Sequence, residues 1–127
     1  RVRYAETDQM GFAYYGSSAQ YYEVGRVELL RSLGFSYKTI ENMGFALPVI
    51  NWNISYKKPA FYDDQLTIKT MINKVPSKTI VFDYEIYNEA NELLNIGQVT
   101  LMFVNIQTNK TCTAPQLIID SIKEKLT

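Results

Sequence analysis

Residues 4–18 read YAETDQMGFAYYGSS, and the rest of the chain is best interpreted outward from this stretch. Gly11 predicts a turn, and Ser17 or Ser18 can cap a helix that starts there. A single carboxylate, that of Asp8, therefore lies on a loop shortly before a helix N-terminus, whose first N–H groups have no helical acceptor. Acyl transfer needs this combination, because one group attacks or activates water while the other holds the developing oxyanion.

The expected helix is long. Apolar positions recur at helical spacing from Tyr22 to Leu33, and Gly34 follows at the position where a left-handed residue ends a helix. A short second helix is predicted over residues 36–42, capped by Ser36 and ended by Gly44.

The pattern then changes from helical spacing to alternation, which indicates strands. Strands are predicted over residues 50–57, 66–72, 80–86 and 93–106, and Ile50, Trp52, Ile54 and Tyr56 are expected on one face of the first. Residues 93–106 are apolar on both faces, as in a central strand. Short loops between consecutive strands favour an antiparallel sheet. Residues 1–6 also alternate and predict an edge strand, and Pro115 opens a final helix to Leu126. The pattern predicts an α+β domain with one long helix on a sheet.

Composition limits the classes of protein that fit. A chain of 127 residues with 46% hydrophobic residues is expected to form one domain, residues 1–127. Its 13 basic and 13 acidic residues give no net charge, so we expect no nucleic-acid or membrane partner. The one cysteine, Cys112, cannot form an internal disulfide, and no stretch is long and apolar enough to span a bilayer. These features predict a cytoplasmic protein.

The chain contains no histidine. This absence excludes Ser-His-Asp and Cys-His catalysis and the histidine-dependent zinc sites. Acid–base chemistry is left to carboxylates, tyrosines or lysines, and we expect neither a metal nor a redox cofactor.

Four motifs carry a family resemblance: RVRYxETDxMG at residues 1–11, the tyrosine pair at 14–15, YYEVGR at 21–26 and KPAFYDD at 58–64. Together they resemble the 4-hydroxybenzoyl-CoA thioesterase-like branch of the hotdog-fold acyl-CoA thioesterases. The resemblance implies the hotdog fold, in which an antiparallel sheet wraps around one long central helix. It also implies an acyl-CoA substrate and assembly into a homodimer or homotetramer.

The resemblance assigns roles to the first motif. Asp8 matches the catalytic carboxylate of the family, as nucleophile or as general base, although a loop aspartate is otherwise most often a turn residue. The backbone N–H groups near Tyr15 and Gly16 are expected to hold the oxyanion. Tyr14, Tyr15 and Tyr22 are expected pocket walls. Ser17 is a further expected substrate-binding residue. Family members often have histidine where this chain has Tyr15, and Asn-Tyr where it has Ser17 and Ser18, so the resemblance does not fix the pocket shape or the substrate of this chain.

Further residues complete the predicted site. Glu23 is a second candidate carboxylate, although an ion pair with Arg26 three residues later is the simpler interpretation. Four lysines flank the strands: Lys57, Lys58, Lys74 and Lys78. Such lysines are most often solvated surface charges, but the resemblance implies that these, together with Ser77, bind CoA phosphates. The alternative function is a hotdog module that binds an acyl-CoA or an acyl carrier without catalysis.

Overall fold

The computed structural model describes residues 1–126. The helices are α1 (Ser17–Ser32), α2 (Tyr37–Asn42) and α3 (Gln116–Leu126). The strands are β1 (Phe45–Ala46), β2 (Val49–Tyr56), β3 (Thr67–Met71), β4 (Thr79–Tyr87), β5 (Leu93–Met102), β6 (Val104–Asn105) and β7 (Lys110–Thr111). The predicted C-terminal ends of the first two helices are confirmed, because Gly34 and Gly44 have φ angles of 94° and 96°. The predicted cap of α2 is confirmed as well, because the Ser36 hydroxyl accepts a hydrogen bond from the Thr39 N–H.

The main sheet has four antiparallel strands in the order β2-β5-β4-β3, so β5 is central, as its apolar pattern predicts. The strands β1, β6 and β7 form a second small sheet. Apolar side chains of β4 and β5 alternate into the core, where Phe82, Val99 and Leu101 are buried. The predicted antiparallel sheet is confirmed.

The long helix α1 rises about 24 Å over its 16 residues and lies against the core face of this sheet. Its Tyr22 is fully buried and stacks on Tyr84 of β4, with ring centroids 4.0 Å apart. Close approach requires Gly97 on β5, because a Cβ there would lie 2.5 Å from the Tyr22 hydroxyl. Similarly, a Cβ on Gly25 of α1 would lie 2.3 Å from the Thr70 hydroxyl of β3.

Two local predictions are wrong. Residues 1–6 do not form a strand: Tyr4–Glu6 is a turn of 3₁₀ helix, because the Glu6 carboxylate accepts the Arg3 N–H and tightens the chain. In β2, an irregularity between Val49 and Asn51 pairs Val49 with Leu101. Val49, rather than Ile50, therefore shares the core face with Trp52. No helix within residues 1–126 has the length and hydropathy needed to cross a membrane.

Candidate active site

The loop that carries Asp8 is a tight hairpin. Thr7 and Ala13 form an antiparallel bridge, the Asp8 N–H donates to the Phe12 carbonyl at 2.9 Å, and Gly11 turns the chain with a φ of 81°. The Asp8 carboxylate lies exposed at the tip of this hairpin. It accepts one hydrogen bond, from the Met10 N–H at 2.9 Å, which fixes its direction and leaves lone pairs available to a substrate or water.

Glu6 anchors the base of the same hairpin. The Glu6 side chain is 7% exposed and accepts hydrogen bonds from the Arg3 Nε at 2.8 Å and the Tyr21 hydroxyl at 2.8 Å. Its backbone carbonyl accepts the Tyr14 N–H at 2.6 Å and the Ser17 hydroxyl at 3.2 Å. Glu6 therefore connects the Asp8 hairpin to the start of α1. The sequence motifs gave Glu6 no separate role. The signal that could have found it was its position in the first motif, two residues before Asp8.

Burial by itself raises the pKa of the Glu6 carboxyl. The hydrogen bonds from the Arg3 backbone, Tyr21 and the Arg3 side chain act in the opposite direction, and together they lower the pKa below its ordinary value. Glu6 is therefore a structural carboxylate that is held ionised. Burial, together with the hydrogen bond to Glu6, raises the pKa of Tyr21.

The start of α1 supplies two free donors. The Ser17 and Ser18 N–H groups already donate to the Tyr14 and Tyr15 carbonyls. By contrast, the N–H groups of Tyr15 and Gly16 have no hydrogen-bond acceptor within residues 1–126. They lie at the positive end of the helix dipole, where negative charge is stabilised.

Asp8 and Tyr15 line one cleft of about 300 Å³. Phe12, Ala13, Tyr56, Lys57, Lys58 and Pro59 form the rest of its wall. Tyr56, which the sequence analysis placed only in a strand, fixes this cleft: its hydroxyl donates to the Tyr15 carbonyl at 2.8 Å and lies 3.1 Å from the Ser18 hydroxyl. The end of β2 and the start of α1 are thereby held together beside Asp8.

Tyr14 and Ser17 do not line this cleft but support it. The Tyr14 ring contacts that of Tyr15, with centroids 4.4 Å apart, and it packs over Gly16, where a Cβ would lie 2.5 Å from the ring. Ser17 is buried, and its hydroxyl donates a hydrogen bond to the Glu6 carbonyl. Gly16 therefore permits the packing of the tyrosine pair at the helix start.

Other predicted residues lie elsewhere. Tyr22 is a core residue and not a pocket wall, because it is fully buried and its hydroxyl donates to the Asn95 side chain at 2.6 Å. Glu23 is exposed and lies outside the cleft. The predicted ion pair between Glu23 and Arg26 is wrong: Arg26 is buried, and its Nε donates to the Tyr37 hydroxyl at 3.0 Å. The two side chains diverge because Arg26 lies on the core face of α1.

The two lysine pairs lie at opposite ends of the sheet. Lys57 and Lys58 follow Tyr56, which pairs with Asn95 at the start of β5, whereas Lys78 precedes Thr79, which pairs with Met102 at its end. Seven residues of strand separate these ends, which corresponds to roughly 23 Å. Lys74 and Ser77 belong to the far end with Lys78. Within one chain, then, only Lys57 and Lys58 lie beside Asp8, and Lys58 pairs with Glu92.

Comparison with known proteins places this architecture in a family. The model of the thioesterase superfamily matches residues 10–95. YneP of Bacillus subtilis is 46% identical over 92 residues, which cover 72% of this chain and 67% of YneP. The acyl-CoA thioester hydrolase YbgC of Escherichia coli is 33% identical over 124 residues, or 98% of this chain and 92% of YbgC.

Solved structures agree with the sequence comparisons. The DHNA-CoA thioesterase of Staphylococcus aureus superposes with a TM-score of 0.90 at 35% identity, covering 98% of this chain and 85% of that one. The 1,4-dihydroxy-2-naphthoyl-CoA thioesterase of Synechocystis superposes with a TM-score of 0.89 at 27% identity, covering 98% and 92%. With its antiparallel sheet wrapped on one long helix and a family match over most of its length, the chain is an enzyme of the thioesterase superfamily with the hotdog fold.

Proposed function

We propose that this protein hydrolyses an acyl-CoA thioester to a carboxylic acid and free CoA. One observation carries the proposal: the exposed carboxylate of Asp8 lies in the same cleft as Tyr15, and the N–H groups of Tyr15 and of the next residue, Gly16, have no acceptor within residues 1–126. The YbgC relative is an acyl-CoA thioester hydrolase, which supports the same reaction.

In the proposed reaction, the thioester carbonyl oxygen accepts hydrogen bonds from the N–H groups of Tyr15 and Gly16. The dipoles of these groups stabilise the tetrahedral oxyanion. Asp8 acts in one of two ways. As a general base it takes a proton from the attacking water, the carbon–sulfur bond breaks, and the proton passes to the departing CoA thiolate. As a nucleophile, its oxygen attacks the thioester carbonyl carbon, the carbon–sulfur bond breaks, and CoA leaves as the thiolate. Water then hydrolyses the mixed anhydride to the acid and the regenerated carboxylate, and the proton released in this step converts the thiolate to the thiol. Neither route needs a histidine.

The proposal includes assembly into a homodimer or homotetramer. The strand β2 forms one edge of the sheet, and its Val49, Ile50, Trp52 and Tyr56 side chains are exposed. An apolar edge strand commonly pairs with another chain. Analytical ultracentrifugation at micromolar concentration is expected to show no folded particle of one-chain mass, 14.7 kDa. A stable monomer over that range would contradict the assembly.

The function is tested by thiol release from a panel of short, medium and aromatic acyl-CoA thioesters. Enzymatic turnover of at least one of them, above the rate in buffer, is expected. Saturable binding of acyl-CoA without release of CoA would instead establish the alternative, a binding module of the same fold. A cytoplasmic location stays a prediction.

A further inference from the structure

Arg26 is a buried cation without an anionic partner. Its side chain lies on the core face of α1 and is 7% exposed. Among residues 1–126, its Nε donates to the Tyr37 hydroxyl at 3.0 Å, the Tyr84 hydroxyl lies close to the guanidinium, and no carboxylate lies within 4.0 Å of it. A guanidinium has five N–H donors, and buried charges in proteins are normally paired. The remaining N–H donors have no acceptor of good geometry among residues 1–126, and because no Arg26 nitrogen is a fully buried unpaired atom, these donors stay accessible from outside.

The surroundings keep the guanidinium charged. Burial lowers the pKa of Arg26, but the hydroxyl oxygens of Tyr37 and Tyr84 raise it, and the net pKa is above the ordinary value. The Tyr84 hydroxyl is itself buried and has no hydrogen-bond partner among the described residues. The region around Arg26 thus combines a full positive charge with a second unsatisfied polar group.

Arg26 faces an open cavity of about 90 Å³ between α1 and the edge strand β2, where Val49 and Trp52 are exposed in the single chain. The other lining residues are all apolar: Ala19, Val49, Trp52 and Val99. The irregularity in β2 brings Val49 to this face beside Trp52. One water needs roughly 10–15 Å³ of such space, so the cavity can hold a larger group. Its chemistry suits an apolar body with an oxygen acceptor at the guanidinium.

The cavity lies along the same helix and strand as the Asp8 cleft. On α1, eight residues separate Ser18, which contacts Tyr56 at the cleft, from Arg26, a rise of about 12 Å. On β2, four residues separate Tyr56 from Trp52, or about 13 Å. Two independent elements therefore give the same separation. An acyl group whose thioester lies at the start of α1 can reach Arg26 with its far end if it is a medium-length chain or a fused ring system.

We propose that Arg26 recognises an oxygen acceptor, a carboxylate or a hydroxyl group, at the far end of the acyl moiety of the substrate. The acyl body would lie between α1 and β2, against Trp52 and Val49, and its terminal oxygen would accept the unused N–H donors of the guanidinium. This inference rests on the proposed thioesterase function and specifies its substrate class: acyl-CoA thioesters with an oxygen-bearing tail.

The test compares three thioesters of equal chain length: octanoyl-CoA, 8-hydroxyoctanoyl-CoA and octanedioyl-CoA. For the unmodified protein, kcat/KM is expected to be roughly 10- to 100-fold higher for octanedioyl-CoA than for octanoyl-CoA, because a hydrogen bond to a charged group is typically worth that factor. The value of kcat/KM for 8-hydroxyoctanoyl-CoA shows whether a neutral oxygen at the tail raises kcat/KM as much as a carboxylate does, or less. This comparison needs no variant and so does not depend on the folding of one.

Two variants sharpen the assignment. Arg26→Met keeps an unbranched side chain and removes the charge, and it is expected to abolish the preference by lowering kcat/KM for octanedioyl-CoA while the value for octanoyl-CoA is retained or raised. Arg31→Met is the matched control, because Arg31 lies on the same helix, is exposed and pairs with Glu28 at 3.0 Å. It should preserve the preference. A purely structural arginine would instead affect all three thioesters equally.

The outcomes separate the inference from the function on which it rests. Release of CoA from all three thioesters at similar kcat/KM would overturn the role of Arg26 and leave the proposed function intact. An equal loss for all three in Arg26→Met would do the same. No release of CoA from any thioester would overturn both.

Discussion

Glu6 and Asp8 lie two residues apart on one hairpin, and their carboxylates have opposite surroundings. Glu6 points inward, where Arg3 and Tyr21 use its oxygens and burial excludes water. Asp8 points outward and receives one backbone N–H. A carboxylate whose lone pairs are already taken stabilises the structure, whereas one with free lone pairs in a cleft can act on a substrate. Neighbouring acidic residues in one motif can therefore have different roles, one in stability and the other in chemistry.

The largest expected effect comes from removing the outward carboxylate. Asp8→Asn retains an oxygen that can accept the Met10 N–H, so the hairpin should keep its shape and its melting temperature. Loss of a general base typically costs 10²–10⁴-fold, so kcat is expected to fall at least ~100-fold while acyl-CoA binding persists. Steady-state kinetics and a direct binding assay on the same variant measure the two effects.

Glu23→Gln is the control for this substitution, because Glu23 is exposed on α1 outside the cleft. It should leave turnover unchanged. Wild-type turnover in Asp8→Asn would refute the catalytic assignment, and a large loss in Glu23→Gln alone would transfer it to the helix.

The inward carboxylate should affect stability instead. Glu6→Gln removes the charge that Arg3 and Tyr21 contact, and loss of such buried charged hydrogen bonds is expected to reduce the free energy of unfolding by about 1–3 kcal/mol at pH 7. Urea unfolding measures this loss. The matched variant Asp8→Asn, on the same hairpin, should change the free energy of unfolding by less than ~0.5 kcal/mol.

The pH dependence of the free energy of unfolding shows whether the charge of Glu6 stabilises the folded protein. The pKa of Glu6 in the folded protein lies below its ordinary value of 4.5, so the ionised form is favoured by folding. The stabilisation is therefore complete above the unfolded pKa and disappears as pH falls through the folded pKa. The difference in stability between wild type and Glu6→Gln should shrink below about pH 4.5. A difference that is constant across this range would mean that the charge of Glu6 contributes nothing.

Of these two carboxylates, the sequence could predict the surroundings of Asp8 but not those of Glu6. The position of Asp8 before a helix and the glycine at its turn were enough to predict an exposed loop carboxylate near Tyr15 and Gly16. The inward direction of Glu6 was not predictable, because a 3₁₀ turn replaced the expected alternation of residues 1–6. Likewise, the spacing of Glu23 and Arg26 suggested an ion pair on the helix, but a buried arginine bound to Tyr37 depends on a contact between separate elements that spacing does not encode.

The fold was more predictable than the site for the same reason. Periodicity and glycine positions are local signals, and they located α1, α2 and the central strand β5. The separation of the lysine pairs is a long-range property: it follows from the antiparallel register of β2, β5 and β4, which brings the end of β2 to the start of β5. Residue spacing along the chain gives no access to that register.

The smallest expected effect is a change in KM caused by the lysines at the two ends of the sheet. Lys57 and Lys58 line the cleft with Asp8, whereas Lys74 and Lys78 lie roughly 23 Å away within the chain. If the near pair binds CoA phosphates, Lys57→Ala/Lys58→Ala should raise KM for acyl-CoA up to about tenfold without changing kcat, since exposed charge contacts contribute ~0.2–1 kcal/mol each. The far double variant, Lys74→Ala/Lys78→Ala, is the matched control of equal charge change and should leave KM unchanged unless a second subunit brings its lysines to this cleft.

Two further measurements decide what the lysines recognise. The effect of the near double variant should weaken at high salt, because screening removes the same attraction in the wild type. It should vanish with an acyl-pantetheine substrate, which has no nucleotide phosphates. Lys58 already pairs with Glu92, so Glu92→Gln, which frees that ammonium group, should lower KM or leave it unchanged. If acyl-pantetheine and acyl-CoA are affected equally, the near lysines support the cleft or the assembly. If only the far double variant raises KM for acyl-CoA, the phosphates are bound at the other end of the sheet.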